Sequence, residues 1–126
     1  MKKAVVCCLL TVVLFACKKG LMTHEAVRKA AVQYYTMLIK GDYDGFVNGY
    51  ADAESFPDDF RSQLVDATAQ FMANDDMRNL RSVSALNDSL GADSTAYVRL
   101  QLLFSDSTSE HIEMSLVLME GGWKMR

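Results

Sequence analysis

The first half of the chain carries apolar residues at helical spacing. From Thr23 to Lys40 they recur every three or four positions, which predicts a first helix. Thr23 is a suitable N-cap, and Gly41 is a suitable C-terminal stop. The apolar positions of this helix are Val27, Ala30, Ala31, Tyr34, Leu38 and Ile39.

Two further helices are expected before the pattern changes. Asp42 can cap a short second helix, which Gly45 and Gly49 weaken. Pro57 suits the first turn of a third helix. Proline has no backbone N–H, and an N–H in the first turn would have no hydrogen-bond partner within the helix, so nothing is lost there. This helix should end near the polar segment 74–76. Its apolar stripe comprises Phe60, Leu64, Ala67, Thr68, Phe71 and Met72.

The second half of the chain alternates between apolar and polar residues. The alternation is weak over residues 80–90 and clear over 96–104 and 112–119. Residues 120–122 then suit a tight hairpin turn before a last strand over 123–126. Helices followed by an antiparallel meander predict an α+β fold, with N-terminal helices packed on one face of a curved antiparallel β-sheet.

The opposite face of this sheet also carries apolar side chains. Leu103, Val117 and Met119 occupy it, so we expect that it is not fully solvated. A homodimer formed through the sheet would cover this face, and so would a strongly curved sheet.

The N-terminal segment has the pattern of a signal peptide. Lys2 and Lys3 precede an uncharged stretch over 4–16, which is shorter than the roughly 20 residues that a membrane-spanning helix needs. Its end, Leu14-Phe15-Ala16-Cys17, resembles the lipobox of bacterial lipoproteins, although Phe15 is larger than the usual residue there. We therefore divide the chain into a signal peptide (1–16), a lipidated tether (17–22) and one α+β domain (23–126).

The lipobox resemblance implies an anchor at Cys17. It implies a diacylglyceryl group on the thiol, cleavage before this residue, and acylation of the new amino group by a chain such as palmitate. The chain would then be held on a membrane of the bacterial cell envelope by lipid alone. Lys18 replaces the aspartate that retains some lipoproteins at the inner membrane, which favours the outer membrane. The alternative is an ordinary signal peptide cut after Ala16.

Charge and cysteine content exclude several classes of function. The formal net charge of the whole chain is −3, and loss of Lys2 and Lys3 would lower it to about −5. Such an acidic domain is a poor candidate for nucleic acid, which binds basic surfaces. All three cysteines, Cys7, Cys8 and Cys17, precede the domain. The domain therefore has neither a disulfide nor a cysteine metal site.

No catalytic or metal-binding pattern stands out in the domain. His24 and His111 are expected at solvated positions, without the nucleophile that a catalytic histidine needs. The pairs 58–59 and 75–76 are adjacent aspartates, whose side chains diverge on a helix, so neither pair forms a chelate. The chain also lacks a phosphate loop, a dinucleotide fingerprint and zinc spacing. We predict no cofactor.

Aromatic side chains are the remaining indication of a site. The candidates for a ligand pocket are Tyr35, Phe46, Tyr50, Phe71 and Trp123. Adjacent tyrosines on a helix cannot share one face, so one of Tyr34 and Tyr35 is expected in the core and the other at a boundary or cavity. The simpler interpretation is that all these aromatic side chains fill the core.

Several of these segments together resemble a known superfamily. The chain resembles small bacterial lipoproteins of unknown function in the nuclear transport factor 2-like (NTF2-like, cystatin-like) superfamily. The segments that carry the resemblance are the helical Val32-Gln33-Tyr34-Tyr35, the break at Gly41-Asp42-Tyr43 and the strand Gly122-Trp123-Lys124. The resemblance implies a cone of three helices against a curved sheet, often dimeric. The superfamily contains dehydratases, isomerases and binding modules, and its enzymes place Asp, His or Tyr inside the cone.

The sequence therefore favours a non-enzymatic, membrane-anchored domain that binds a small ligand or an envelope protein. One alternative is a dehydratase-like or isomerase-like enzyme, in which Asp44, Tyr35 or Tyr50 would face a common pocket. A second alternative is a structural accessory subunit of an envelope assembly.

Overall fold

Three α-helices and four strands make up most of residues 20–126, the part of the chain that this computed structural model describes. The predicted signal peptide and Cys17 lie outside the described residues. In chain order the elements are α1 (His24–Lys40), α2 (Tyr43–Asn48), a 3₁₀ turn (Ala53–Ser55), α3 (Asp58–Ala73), β1 (Leu80–Leu90), β2 (Thr95–Phe104), β3 (Ser109–Met119) and β4 (Gly122–Met125).

Helix α1 begins and ends where the sequence predicts. The Thr23 hydroxyl accepts a hydrogen bond from the backbone N–H of Ala26 at 3.1 Å, which satisfies one of the free amides of the first turn. At the other end Gly41 adopts a left-handed conformation with φ of 80°, and its N–H donates to Leu38 O at 3.2 Å.

The two following helices are also confirmed. The Asp42 carboxylate accepts a hydrogen bond from the N–H of Gly45 at 3.0 Å and so caps α2. Helix α3 begins one residue later than predicted, because Pro57 has an extended backbone and is the N-cap, not a residue of the first turn. Asp58 and Asp59 lie in the first turn, where a negative charge suits the helix dipole.

The sheet is an antiparallel meander in the order β1-β2-β3-β4. Strand β3 begins at Ser109, three residues earlier than predicted, because residues 109–111 pair with the end of β2. Beyond β4, Tyr50 forms a parallel bridge with Met125, and the N–H of Ala51 donates to Met125 O at 2.8 Å. This contact joins the end of α2 to the edge of the sheet.

The core lies between α1 and the sheet. As predicted, alternate side chains of β2 and β3 point towards the helix. One of the two adjacent tyrosines was expected in the core, and the structure shows that it is Tyr34, whereas Tyr35 is only partly buried. Two clusters result. The larger contains Val27, Ala31, Tyr34, Ala96, Val98, Leu100, Met114, Leu116, Trp123 and Met125, and the smaller contains Leu38, Met72, Met77, Leu80, Leu102 and Phe104.

Helix α3 contributes little to this core. Met72 is its one buried residue, although the helix is 16 residues long. Phe60 and Phe71 lie on its apolar stripe and remain 43% and 50% exposed. The helix therefore leaves space between its apolar side and the rest of the domain.

The face of the sheet away from α1 is mixed in character. Leu103 and Met119 are about two-fifths exposed, and Val117 is half-buried. Arg99 and Glu113 lie on the same face, 3.9 Å apart. Within residues 20–126 no helix is both long and apolar enough to cross a membrane.

Candidate functional site

A cleft opens where α3 stands away from the domain. Its volume is about 310 Å³. We call it the aromatic cleft. Helix α1 contributes one wall, α2 and the residue Tyr50 another, and α3 the third. The lining residues are Tyr35, Leu38, Phe46, Tyr50, Leu64, Ala67, Thr68 and Phe71.

Helical periodicity places these side chains together. Tyr35 and Leu38 are three residues apart on α1, so both reach the same side of that helix. Leu64 and Phe71 are seven residues apart on α3, which also places them on one side. The cleft therefore forms where the apolar stripes of neighbouring helices face each other without touching closely enough to fill the space.

The wall of the cleft is a series of aromatic rings in contact. The ring centroids of Tyr35 and Phe46 are 6.5 Å apart with an interplanar angle of 83°, and those of Phe46 and Tyr50 are 5.8 Å apart at 84°. Outside the cleft, the series of ring contacts continues from Tyr50 through Phe56 to Phe60, and the centroids of these two phenylalanines are 5.0 Å apart. Edge-to-face packing of this kind favours a defined arrangement of the rings.

A second, smaller cavity shares part of this wall. Its volume is about 190 Å³, and Tyr35, Phe46 and Tyr50 line it as they line the aromatic cleft. Glu113 and Arg126 stand at this second cavity, and both are exposed. The three aromatic residues therefore form a partition between an apolar cleft and a more polar cavity.

Polar groups in the aromatic cleft are few and uncharged. Burial raises the pKa of Tyr35, and the nearby Tyr50 hydroxyl raises that pKa further, so the Tyr35 phenol stays protonated at neutral pH. The Thr68 hydroxyl already donates to Leu64 O within α3, at 2.7 Å. None of the lining residues is Asp, Glu, His, Lys or Arg. The phenol groups are therefore the polar groups that a ligand would meet.

The structure brings together four of the five residues proposed for a pocket. Tyr35, Phe46, Tyr50 and Phe71 all line the aromatic cleft, whereas Trp123 does not. Trp123 is only 4% exposed, and its indole N–H donates to the backbone carbonyl of Leu21 at 2.6 Å. Its side chain lies on the side of α1 that carries Gln33 and Tyr34, whereas the aromatic cleft lies on the side that carries Tyr35 and Leu38.

Asp88 forms a polar cluster that sequence reasoning missed. Its carboxylate accepts hydrogen bonds from Nδ1 of His24 and from Nε of Arg28. The Asp88 side chain has no exposed surface, and this burial alone would raise its pKa. The hydrogen bonds and charges of His24 and Arg28 outweigh burial and lower the pKa. The sequence did offer one indication of this cluster. His24 and Arg28 are one helical turn apart, so both lie on the side of α1 that faces β1.

The other candidates for chemistry stay apart. His111 is exposed on β3, and Asp75 forms a surface ion pair with Arg78 at 3.4 Å. Residues 20–126 contain no group of three or more His, Cys, Asp or Glu side chains placed to hold a metal ion.

Comparison with known proteins identifies the fold. No family model and no curated protein sequence matches the chain. A crystal structure from Campylobacter jejuni, described as an NTF2-like transpeptidase, does match, with a TM-score of 0.60 and 16% sequence identity over 75% of this chain and 92% of that chain. This chain has the NTF2-like fold. Aln2 from a Streptomyces species is a more distant match, with a TM-score of 0.42 and 11% identity over 79% and 83% of the two chains.

The NTF2-like fold explains where the aromatic cleft lies. Three helices and a curved four-stranded sheet enclose an apolar space, and in this NTF2-like domain that space is open beside α3. Asp44, proposed for an enzyme of this fold, lies in the first turn of α2 and is exposed. It does not line the cleft with Tyr35 and Tyr50, so the structure does not assemble that set of groups.

Proposed function

We propose that this protein is a membrane-anchored lipoprotein of the bacterial envelope whose NTF2-like domain binds a small, neutral, apolar or aromatic ligand without transforming it. The observation that carries this proposal is the aromatic cleft. Helix α3 leaves four aromatic side chains facing one space, although closer packing would have buried them. Exposed aromatic surface of this kind commonly marks a binding site.

The size of the cleft suits a small molecule. Ligand pockets in proteins usually measure about 300–1,000 Å³, and the aromatic cleft, at about 310 Å³, lies at the lower end. Its aromatic walls can contact a ring or a short hydrocarbon on several sides. A ligand of modest size could therefore be largely buried there.

The lining also indicates that the ligand is neutral. Taking an ion out of water is costly unless an opposite charge compensates it, and the lining offers none. The phenol groups of Tyr35 and Tyr50 can hydrogen-bond one polar group of a ligand. We therefore expect a molecule that is mostly apolar, with at most one or two hydrogen-bonding atoms.

The same lining favours binding over catalysis. General acid–base catalysis needs a group that exchanges protons near the working pH and lies within hydrogen-bond reach of the substrate. Tyr35 has a raised pKa and keeps its proton, and Asp44 lies outside the cleft. A dehydratase or isomerase reaction would therefore find no carboxylate, imidazole or amine among the residues that line the cleft to act as its general base.

A protein partner is the second candidate for what this domain binds. Tyr97, Leu103 and Met119 are each at least two-fifths exposed on strands of the sheet. They are interspersed with charged residues such as Arg99 and Glu113, so this surface is less apolar than the aromatic cleft. A role as an accessory subunit would use this surface, and it would be independent of the cleft.

Binding in the cleft can be tested with a neutral fluorescent probe. N-phenyl-1-naphthylamine brightens when it enters an apolar site, and we expect the full chain to bind it. Phe71→Ala should weaken this binding at least about fivefold, because a loss of aromatic contact of about 1 kcal/mol has that effect.

Phe60→Ala is the matched control for this experiment. Phe60 lies on the same helix with similar exposure, but it packs against Phe56 and does not line the cleft. Probe binding that survives Phe71→Ala, or that falls equally in both variants, would show that the cleft is not the binding site.

The anchor has its own test. Replacing Cys17 with Ala should release the chain from the membrane fraction, or leave an unprocessed precursor, and the protein should no longer incorporate labelled palmitate. Cys8→Ala is the control, because Cys8 lies within the uncharged stretch of the signal peptide. A Cys17→Ala protein that is still processed and labelled would refute the lipoprotein proposal.

A further inference from the structure

A larger groove lies on another side of α1, away from the aromatic cleft. Its volume is about 500 Å³, and it runs between α1, α2 and the turn that joins β3 to β4. Its lining includes small residues such as Ala30, Gly49 and Gly121, together with Leu21 and Trp123. We call it the tether groove, because Leu21 belongs to the predicted tether.

The charge of the tether groove is opposite to that of the domain. All 16 acidic residues lie within residues 20–126, whereas four of the 13 Lys and Arg residues precede them. This part of the chain contains only three lysines, and two of them, Lys29 and Lys124, line the groove. No Asp or Glu lines it. An acidic domain therefore places two of its lysines, and no carboxylate, in the lining of this groove.

These two lysines are available to an incoming anion. Among residues 20–126 neither of them lies within 4.0 Å of a carboxylate oxygen. Lys29 is on α1 and Lys124 is on β4, so two different elements contribute the lysines of the lining. The side chains of Gln33 and Asn48 add hydrogen-bonding groups to the same lining.

The position of the groove indicates where its ligand comes from. Leu21, in the predicted tether, lines the groove, and the indole N–H of Trp123 donates to its backbone carbonyl at 2.6 Å, so the end of the tether is held at this site. Four peptide units separate Leu21 from Cys17, a span of at most about 14 Å. If Cys17 is lipidated, the groove cannot be far from the lipid headgroups, and Lys18 and Lys19 lie between them.

We propose that the tether groove binds the headgroup of an anionic phospholipid in the membrane on which the chain is held. The phosphate would lie between Lys29 and Lys124, and Gln33 and Asn48 would hydrogen-bond the glycerol part. Leu21 and Met37 offer apolar contact to the start of an acyl chain. This inference rests on the proposed anchor for the source of the lipid, and it extends that proposal by orienting the domain on the membrane.

Soluble short-chain lipids test the groove separately from the anchor. Dihexanoyl phosphatidylglycerol, which is anionic, and dihexanoyl phosphatidylcholine, which is zwitterionic, are titrated into the processed full chain in neutral detergent. Binding is followed by calorimetry and by the emission of Trp123, the one tryptophan of the chain. A lysine near an anionic lipid surface contributes roughly a fivefold gain in affinity, so two should give about a 25-fold preference for phosphatidylglycerol.

The variants identify the groove as the source of this preference. The double variant Lys29→Gln/Lys124→Gln should bind the two lipids about equally. Lys40 is the remaining lysine of residues 20–126, and Lys40→Gln should leave the preference for phosphatidylglycerol intact. Circular dichroism checks that each variant is folded. A preference that survives the double change, or that Lys40→Gln abolishes, would overturn the proposal.

The remaining outcomes are also informative. Equal binding of the two lipids, or no binding of either, would overturn the proposal. Inorganic phosphate that binds as tightly as phosphatidylglycerol would show a site for a free anion and not for a membrane lipid. Failure of the anchor would appear separately, in the Cys17→Ala labelling experiment, and would leave the lipid preference of the groove unchanged.

Discussion

The hydroxyl of Tyr34 donates a hydrogen bond to the backbone carbonyl oxygen of Trp123, 2.5 Å away in the buried core. The same tryptophan donates from its indole N–H to the backbone of Leu21. Helix α1, the last strand and the end of the predicted tether are therefore joined at one residue. This junction lies between the core and the tether groove, so it fixes the wall on which the proposed lipid site depends.

Tyr34→Phe should destabilise the domain. The substitution keeps the aromatic ring but leaves the buried carbonyl oxygen of Trp123 without this donor, which typically costs about 1–3 kcal/mol. Urea denaturation would measure the free energy of unfolding. Tyr97→Phe is the control, because Tyr97 is 50% exposed on the sheet. Equal stability of Tyr34→Phe and the wild type would show that the hydrogen bond does not hold the junction together.

Gly49→Ala should also destabilise the domain, because Gly49 packs against the ring of Tyr34 at this junction. A Cβ atom at Gly49 would come far too close to the ring of Tyr34, 2.9 Å from Cδ1 and closer still to Cε1. The ring is buried and cannot swing away freely, so we expect a loss of about 1–3 kcal/mol.

Gly121→Ala provides the comparison in a denaturation experiment. A Cβ atom there would meet only the flexible Lys124 side chain, at an ordinary distance of 3.5 Å. Its effect should stay within about 0.5 kcal/mol. If Gly49→Ala proved as mild as Gly121→Ala, the close packing of α2 against Tyr34 would be wrong.

The Asp88 cluster should make stability depend on acid pH. The pKa of Asp88 in the folded protein lies below its ordinary value of 3.8, so the ionised form is favoured by folding. Its contribution is therefore complete above the unfolded-state pKa of about 3.9 and is lost as pH falls through the folded pKa. Asp88→Asn should lower stability at pH 7 by about 1 kcal/mol, since His24 and Arg28 are partly exposed.

Thermal melts at several pH values would check this dependence. The difference in stability between the wild type and Asp88→Asn should be constant from pH 7 to about pH 5 and shrink below about pH 4. Asp66 is exposed on α3, so the difference in stability between the wild type and Asp66→Asn should not shrink in this way as the pH falls. A difference that stayed constant into strong acid would mean that the Asp88 carboxylate is not held in its ionised form.

The architecture could be predicted from the sequence because its signals are local. The Thr23 cap, the Gly41 stop and the alternation of β2 set element boundaries within a few residues, and neighbouring elements in a meander pair with each other. The start of β3 was predicted too late, because Ser109 and Glu110 pair with β2 even though they are polar and exposed. Pairing of this kind depends on the partner strand and leaves no hydrophobic pattern.

The site was harder to predict because it depends on how far apart elements stand. The sequence shows that Phe71 and Phe46 are apolar, but not that α3 leaves a gap between them. Trp123 has the same apolar character, yet it is buried beside Tyr34, on a different side of α1 from the cleft. Asp88 was missed for a related reason, since its partners lie at least 60 residues away in sequence.

Native mass spectrometry of the processed chain, after exposure to an extract of envelope lipids and small molecules, tests the central claim most directly. The proposal predicts that the wild type and Phe60→Ala retain a small neutral molecule non-covalently, and that Phe71→Ala loses it. A wild-type chain that carries no such adduct, or an adduct that Phe71→Ala retains in full, would contradict ligand binding in the aromatic cleft.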